Sequence, residues 1–232
     1  MKKKYELINF YDILPEKIKG KGLPNPNYKN HGIKLSTKIL IVGASGAGKT
    51  STILNLINCM NGTFTSIDVI LKNADEPLYK YLKYKAKDSC RIFEGIKNMP
   101  NIDDYKKGSA HLVIFDDLML EKMDKIAEFF IRARKQDCTC VFITQSYIGN
   151  GTVAYRTIRK NCDYIILKKI NGNNDLKKIN KEYDIGIEND KFIKIYDDII
   201  TEDFNNFLMI DINAEKKNRF RKNFDVINIL NN

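Results

Sequence analysis

The stretch Gly43-Ala44-Ser45-Gly46-Ala47-Gly48-Lys49-Thr50 decides the fold class of this chain. It follows the apolar run at residues 39–42 and precedes an apolar helical stretch that begins at Ser51. This is the strand–loop–helix setting of the phosphate-binding loop G-x-x-x-x-G-K-[ST], the P-loop. Its glycines let backbone N–H groups point at phosphate oxygens, and the start of the helix adds a partial positive charge. Lys49 is placed to bridge the β- and γ-phosphates, and the Thr50 hydroxyl to bind Mg²⁺. Residues 43–51 are therefore predicted to bind a nucleotide.

A second motif, His111-Leu112-Val113-Ile114-Phe115-Asp116-Asp117, is an apolar strand that ends in two acids. Downstream of a P-loop this pattern is typical of the Walker B motif, in which Asp116 holds Mg²⁺ through its water shell. Asp117 is placed to polarise the attacking water, which favours a hydrolase. The second acid is Asp where Glu is commoner, so its side chain is shorter by a methylene. A protein that binds ATP with little turnover therefore stays open as an alternative to an active ATPase.

A third motif, Cys140-Val141-Phe142-Ile143-Thr144-Gln145-Ser146, is a later apolar strand that ends in an amide side chain. In P-loop proteins with an additional strand between the Walker A and Walker B strands, the tip of that strand faces the γ-phosphate. Gln145 is therefore predicted to contact the phosphate or the water and to sense hydrolysis. The sequence has no guanine-specifying Asn-Lys-x-Asp motif, which favours ATP over GTP.

The rest of the chain alternates short apolar runs with amphipathic ones, which predicts an α/β fold with a mainly parallel sheet. Further strands are predicted at residues 67–71, 91–94 and 164–167, and late strands, antiparallel at an edge, at 192–196 and 207–212. Helices are predicted near residues 50–59, 76–85, 123–135 and 153–162. We expect a P-loop NTPase three-layer sandwich over residues 36–232, with an additional strand between the Walker A and Walker B strands and a small C-terminal β elaboration. Residues 1–35 are predicted to form an N-terminal arm.

The composition is that of an ordinary globular protein, with 43% apolar and 29% charged residues and a net charge of +10. The positive excess is concentrated in residues 1–37 and 153–183, which suggests a polyanionic partner, although a lysine-rich coding bias explains the surplus equally well. No apolar run is long enough for a membrane span, and the basic start lacks the apolar stretch of a secretion signal. Five scattered cysteines do not form a disulfide framework or a zinc site, so a reducing compartment is expected.

The three motifs, in this order and spacing, resemble the FtsK/HerA superfamily of DNA-pumping ATPases. The likeness is strongest to the poxvirus A32-type genome-packaging ATPases of large DNA viruses and virophages. Smaller matches extend it over nearly the whole chain, at Pro24-Asn25-Pro26-Asn27, Asp75-Glu76-Pro77-Leu78-Tyr79, Ile158-Arg159-Lys160-Asn161 and Arg219-Phe220-Arg221-Lys222-Asn223-Phe224.

This resemblance implies a homo-oligomeric ring, pentameric or hexameric, that uses ATP and Mg²⁺ to thread double-stranded DNA into a preformed capsid. Binding to DNA would be independent of base sequence, a capsid protein would dock the motor, and the location would be the host cytoplasm, a viral factory or the virion. The alternatives are a HerA-like cellular or plasmid DNA-transfer ATPase and a nucleotide-gated assembly protein with little turnover.

The same resemblance implies that each site needs an arginine from a neighbouring subunit. The candidates are Arg132 and Arg134, which point in different directions on a helix, so that one of them serves. Arg156 and Arg159 are three residues apart and share a helix face, and they are the alternative for this contact or for lining a pore.

Overall fold

A computed structural model of the chain describes residues 7–19, 22–149 and 151–227. Residues 1–6, 20 and 21 of the predicted N-terminal arm lie outside the described residues. The strands are β1 (Lys38–Val42), β2 (Ser66–Leu71), β3 (Cys90–Glu94), β4 (His111–Asp116), β5 (Cys138–Thr144), β6 (Tyr164–Leu167), β7 (Leu208–Asp211), β8 (Phe220–Lys222) and β9 (Asp225–Val226). The α-helices are α1 (Glu16–Lys19), α2 (Tyr28–His31), α3 (Lys49–Cys59), α4 (Pro77–Ala86), α5 (Asp124–Arg132), α6 (Val153–Lys160), α7 (Asn174–Glu182) and α8 (Asn189–Glu202). Short 3₁₀ turns lie at Lys87–Ser89, Ile96–Asn98, Ile102–Asp104, Ala133–Gln136 and Lys216–Asn218.

The strands form a nine-stranded sheet in the order β3-β2-β4-β5-β1-β6-β7-β8-β9. All pairs from β3 to β6 are parallel, and β7, β8 and β9 continue the sheet in antiparallel pairs. The predicted α/β fold is confirmed, including the additional strand, β5, between the P-loop strand β1 and the acid-bearing strand β4. The small C-terminal β elaboration is also confirmed.

Apolar side chains fill both faces of the sheet, which explains why the central strands are apolar at nearly every position. In β1, Leu40 and Val42 face one layer of helices, while Ile39 and Ile41 face the other. The first layer contains α5, α6, α7 and α8, and the second contains α3 and α4. The molecule is therefore the predicted three-layer sandwich.

The strand predicted at residues 192–196 is wrong, because this stretch lies inside helix α8. Its buried residues are Phe192, Tyr196 and Ile199, four and three positions apart, which places them on one face of a helix. Lys194, which would share the inward face of a strand with Phe192 and Tyr196, is exposed. By contrast, the predictions at residues 91–94 and 207–212 are confirmed as β3 and β7.

The described segment from residue 22 to β1 is closed by an internal hydrogen bond and is tied to β8 by another. Asn25 Nδ2 donates to the carbonyl oxygen of Ile33 over 3.0 Å, and Arg221 of β8 donates to the carbonyl oxygen of His31 over 2.9 Å. Between them Gly32 has a left-handed φ of +63°, and a Cβ at Gly32 would lie 2.3 Å from Arg221 Nη1. A side chain at this position would therefore break the contact between the N-terminal segment and the far edge of the sheet.

No helix in the described part of the chain combines the length and apolarity needed to cross a membrane. The five cysteines are free, and four of them are buried. Within the same residues no group of three or more His, Cys, Asp or Glu side chains could hold a metal ion.

Candidate nucleotide-binding site

The P-loop leaves β1 at the carboxyl end of the sheet and enters α3 at Lys49. Its first two backbone N–H groups are tied to both neighbouring strands: Gly43 donates to the carbonyl oxygen of Thr144 at the end of β5 over 3.2 Å, and Ala44 donates to the carbonyl oxygen of Lys169 beyond β6 over 2.7 Å. Gly46 and Gly48 have φ values of +73° and +78°, a left-handed backbone that side chains disfavour. The loop is thus curled as the motif predicts, between the sensor strand on one side and β6 on the other.

Lys49 reaches back across the loop. Its Nζ donates to the carbonyl oxygens of Gly43 and Ala44 over 2.9 and 2.8 Å. Burial lowers the pKa of Lys49, while the carboxylates of Asp116 and Asp117 act in the opposite direction. The cation of the first motif therefore lies close enough to both acids of the second motif to interact with their charges.

Asp116 ends β4 and accepts a hydrogen bond of 2.7 Å on Oδ2 from the hydroxyl of Tyr79. Burial raises the pKa of Asp116, and the Tyr79 hydrogen bond and the charge of Lys49 lower it in part. Burial also raises the pKa of Tyr79 far above its usual range, and the Thr50 side chain forms a hydrogen bond with the same hydroxyl. The buried tyrosine of α4 thus joins the two residues predicted to bind Mg²⁺, Thr50 and Asp116. Their hydroxyl and carboxylate oxygens are the donors that Mg²⁺ prefers, so these residues fit that ion.

Asp117 is exposed and has a left-handed φ of +53°, so the chain turns sharply at this residue. Together with Asp116, Tyr79 and Glu76 it lines a cavity of about 210 Å³ between β4 and the segment that follows β2. The carboxylate therefore borders a space large enough for ordered water, next to the acid predicted to hold Mg²⁺.

Gln145 is exposed immediately after β5, so its amide lies at the same edge of the sheet as the P-loop and the two acids. The segment behind it is fixed by a buried polar network. Tyr147 N donates to Asp175 over 2.7 Å, Arg159 donates to the Tyr147 carbonyl over 2.7 Å, and the Tyr155 hydroxyl donates to the Ser146 carbonyl over 2.6 Å. Sequence reasoning missed Asp175 and Tyr155, since neither belongs to a motif.

Arg132 and Arg134 lie away from the P-loop of their own chain. Helix α5 leaves the carboxyl end of β4 and returns to the start of β5, so its last turn lies at the amino ends of the parallel strands. There Arg132 forms ion pairs with Glu128 and Asp103. Arg134 lines a cavity beside Asp163, next to the start of β6. Their assignment as the contact to a neighbouring subunit stays a prediction.

Arg156 and Arg159 differ in their surroundings although they share a helix. Arg156 is exposed, whereas the Arg159 guanidinium is buried, lies 4.5 Å from the Tyr147 ring centroid and pairs with Glu182 over 3.4 Å. Arg159 therefore supports the segment behind Gln145, and the alternative in which Arg156 or Arg159 lines a pore stays a prediction.

No family model matches the sequence, and no curated protein matches it either. The structure is similar to the genome packaging NTPase B204 from Sulfolobus turreted icosahedral virus 2 in complex with sulfate, with a TM-score of 0.59 and 16% identity over 84% of this chain and 100% of that chain. The complex of B204 with ATP-gammaS gives a TM-score of 0.57 and 16% identity, over 83% of this chain and 98% of that chain. EssC (ATPases 2 and 3) from Geobacillus thermodenitrificans gives 0.52 and 14% identity, over 82% of this chain and 40% of that chain. At these identities the likeness shows the fold, that of a P-loop NTPase, and it is consistent with the family resemblance of the motifs.

Proposed function

We propose that this protein is an ATP-driven translocase that packages a viral double-stranded DNA genome into a preformed capsid. The observation that carries the ATPase part is the convergence of Lys49, Thr50, Asp116, Asp117 and Gln145 at one edge of the sheet, with β5 between β1 and β4. The packaging part is supported by the motif resemblance and by the shared fold with a viral genome packaging NTPase.

In this proposal the backbone of residues 43–51 binds the phosphates and Lys49 bridges the β- and γ-phosphates. When bound to Thr50 and Asp116, Mg²⁺ would neutralise phosphate charge. Asp117 orients a water for attack on the γ-phosphorus and accepts its proton. The bond from that phosphorus to the β–γ bridging oxygen breaks, and ADP leaves with this oxygen. Gln145 contacts the γ-phosphate or the water and senses hydrolysis, because this contact is lost when the γ-phosphate leaves.

Double-stranded DNA is proposed to bind through its phosphates, without sequence specificity. A basic cleft between α6 and α7 supports this interaction. It has a volume of about 420 Å³ and is lined by five cations and one acid, Arg156, Arg159, Lys160, Lys178, Lys181 and Glu182. Charges in this arrangement attract a polyanion without reading its bases.

The working form is proposed to be a pentameric or hexameric ring that docks on a capsid protein in the host cytoplasm, in a viral factory or on the virion. One of Arg132 and Arg134 would complete the site of the neighbouring subunit, with Arg156 as the alternative. A HerA-like DNA-transfer ATPase would share these features. A nucleotide-gated assembly role with little turnover is favoured by the short, exposed side chain of Asp117.

Steady-state ATP hydrolysis with and without long double-stranded DNA, at low and moderate salt, tests the proposal. We expect stimulation by DNA that falls as salt rises, because phosphate contacts release counterions. Lys49→Ala should abolish turnover, and Asp117→Asn should abolish turnover while ATP still binds. An ATP hydrolysis rate that does not change with DNA would contradict the translocase proposal and leave the nucleotide-gated assembly role.

Mixed rings test the shared site. A variant of the trans arginine should be inactive alone and regain part of its activity when mixed with Lys49→Ala subunits, since each then supplies what the other lacks. Absence of rescue for Arg132, Arg134 and Arg156 alike would contradict a site formed between subunits.

A further inference from the structure

Phe204 is an exposed aromatic residue beside the P-loop. It lies in the turn between α8 and β7 and is 64% exposed. Two of its ring carbons lie 3.2 and 3.4 Å from the point where a Cβ on Gly48 would stand. The ring therefore borders the loop at the residue that precedes Lys49, and most of the Phe204 surface is exposed to solvent.

The turn that carries Phe204 is rigidly built. The buried Lys168, just after β6, donates from Nζ to the carbonyl oxygens of Phe204 and Asn206 over 2.7 and 2.9 Å. Asn206 is itself buried, donates to the Ile199 carbonyl over 3.2 Å and accepts from Asn223 over 2.9 Å. A buried lysine that binds backbone carbonyls has lost much of its hydration. Here the two hydrogen bonds from Lys168 fix the backbone of the turn that carries the exposed Phe204 ring.

The sheet order places Phe204 opposite to the acids. Asp116, Asp117 and Gln145 follow β4 and β5, which lie on one side of β1, whereas the turn with Phe204 joins β7 on the other side, beyond β6. A nucleotide whose γ-phosphate meets the acids must extend its sugar and base from the opposite end of the P-loop. That direction leads towards Phe204.

We infer that the Phe204 ring is the stacking surface for the base of the bound nucleotide, and that Lys168 is the positioning residue that holds it there. The inference rests on the proposed nucleotide site and names its base subsite. Stacking a base on a fixed, exposed ring buries apolar area on both partners without any rearrangement of the protein. An aromatic face can stack on any base, and a purine should bind more tightly than a pyrimidine because it buries a larger area.

The chain contains no tryptophan, so Phe204→Trp introduces a single indole reporter. Its fluorescence should be quenched by ATP with Mg²⁺ and should not respond to tripolyphosphate with Mg²⁺, which fills the P-loop but has no base. Tyr84→Trp, at an exposed position of α4, is the matched control and should respond to neither. An equal response of the Phe204→Trp indole to both probes would overturn the inference.

Calorimetric titration of Phe204→Ala gives the energetic test. We expect ATP binding to weaken about tenfold, the effect of losing one stacked base, with tripolyphosphate binding unchanged. Lys168→Met keeps the aliphatic stem but loses the contacts to the carbonyls, and it should show the same selective loss to a smaller degree. Unchanged ATP affinity in Phe204→Ala, or equal weakening of both probes, would show that the ring does not bind the base.

Lys49→Ala separates this inference from the proposed function. It should remove binding of both probes, which verifies that they occupy the P-loop. If ATP binds as described and DNA does not stimulate turnover, the translocase proposal fails and the base subsite stands. If the unaltered protein does not bind ATP, both fail.

Discussion

Replacement of Tyr79 by Phe removes the hydrogen bonds of the Tyr79 hydroxyl from the proposed Mg²⁺ site and leaves the packing of the ring intact. The hydroxyl donates to Asp116 over 2.7 Å and also forms a hydrogen bond with Thr50. A hydrogen bond to a charged acceptor contributes about 1.5–3 kcal/mol, and residues that orient metal ligands typically change metal affinity by about 10–100-fold. Since Asp116 is partly exposed and water can replace the lost donor, we expect the lower end of that range.

The assay is ATP hydrolysis by Tyr79→Phe as a function of Mg²⁺ concentration at several pH values. The Mg²⁺ concentration for half-maximal turnover should rise about tenfold, with the maximal rate nearly restored at saturating Mg²⁺. The hydrogen bond lowers the pKa of Asp116 against the effect of burial, so its loss raises that pKa further. The acid limb of the pH profile should therefore move to higher pH.

Tyr105→Phe is a matched control, because the buried Tyr105 hydroxyl donates to Asp68 over 2.6 Å in the same kind of tyrosine–aspartate pair away from the P-loop. It should lower the midpoint of thermal unfolding and leave the Mg²⁺ dependence unchanged. An unchanged Mg²⁺ requirement in Tyr79→Phe, or an equal change in Tyr105→Phe, would refute the argument that Tyr79 orients the metal ligands.

Three further predictions concern stability and accessibility. Burial raises the pKa of Asp116. The protonated carboxyl therefore stabilises the fold below the ordinary pKa of an aspartate, and this contribution is lost as pH rises through the raised pKa. Asp116→Asn should raise the unfolding temperature at pH 7 by a few degrees, and this gain should vanish in acid. Asp175→Ala leaves the backbone N–H groups of Tyr147 and Ile148 unpaired and should lower the free energy of unfolding in urea by about 2 kcal/mol. Because the segment behind Gln145 loosens, turnover should fall more than ATP affinity. Asp190→Ala, at an exposed position, should change neither the stability nor the turnover. In the native protein a thiol reagent should modify Cys59 first, since the other four cysteines are buried, and it should modify all five in denaturant.

Much of the fold could be predicted from the sequence because the central strands are buried on both faces. A run such as Ile39-Leu40-Ile41-Val42 is apolar at every position only when both faces are covered, so it marks a strand without knowledge of its partners. The position of β5 between β1 and β4 was predictable from the motifs, since a sensor strand between the P-loop strand and the acids is a property of one subclass of the fold. Gly43 and Asp116 then lie where their motifs predict.

The errors arose where local patterns are ambiguous. Residues 192–196 are rich in Ile, Phe and Tyr, and a short run of this kind fits either a strand or a buried helix face. The next apolar residue of the buried face, Ile199, follows Tyr196 by three positions, which is helical spacing, but it lies outside the five residues that suggest a strand. The helix at Asn174–Glu182 was not predicted because its charged residues outnumber its apolar ones, so the apolar stripe formed by Leu176 and Ile179 is narrow.

The residues that support the site could not be assigned a role from the sequence, because each acts through a contact across the fold. The sequence marks Tyr79 only as part of a motif, whereas in the structure its hydroxyl donates to Asp116 and joins α4 to the end of β4. Lys168 looks like one of many surface lysines until its burial against the turn of Phe204 is seen. Such roles depend on long-range packing, which no spacing rule encodes.

The central position of β1 also determines when the nucleotide site can exist during synthesis. Lys38 pairs with Cys140, and Ile39 with Tyr164, so both neighbours of β1 come from segments more than a hundred residues further along the chain. Long-range parallel pairing of this kind forms slowly, and a ribosome must translate most of the protein before β1 can be completed. A prematurely terminated chain would carry an intact P-loop sequence without the strands that shape it. Incomplete chains should therefore not compete with the complete protein for nucleotide.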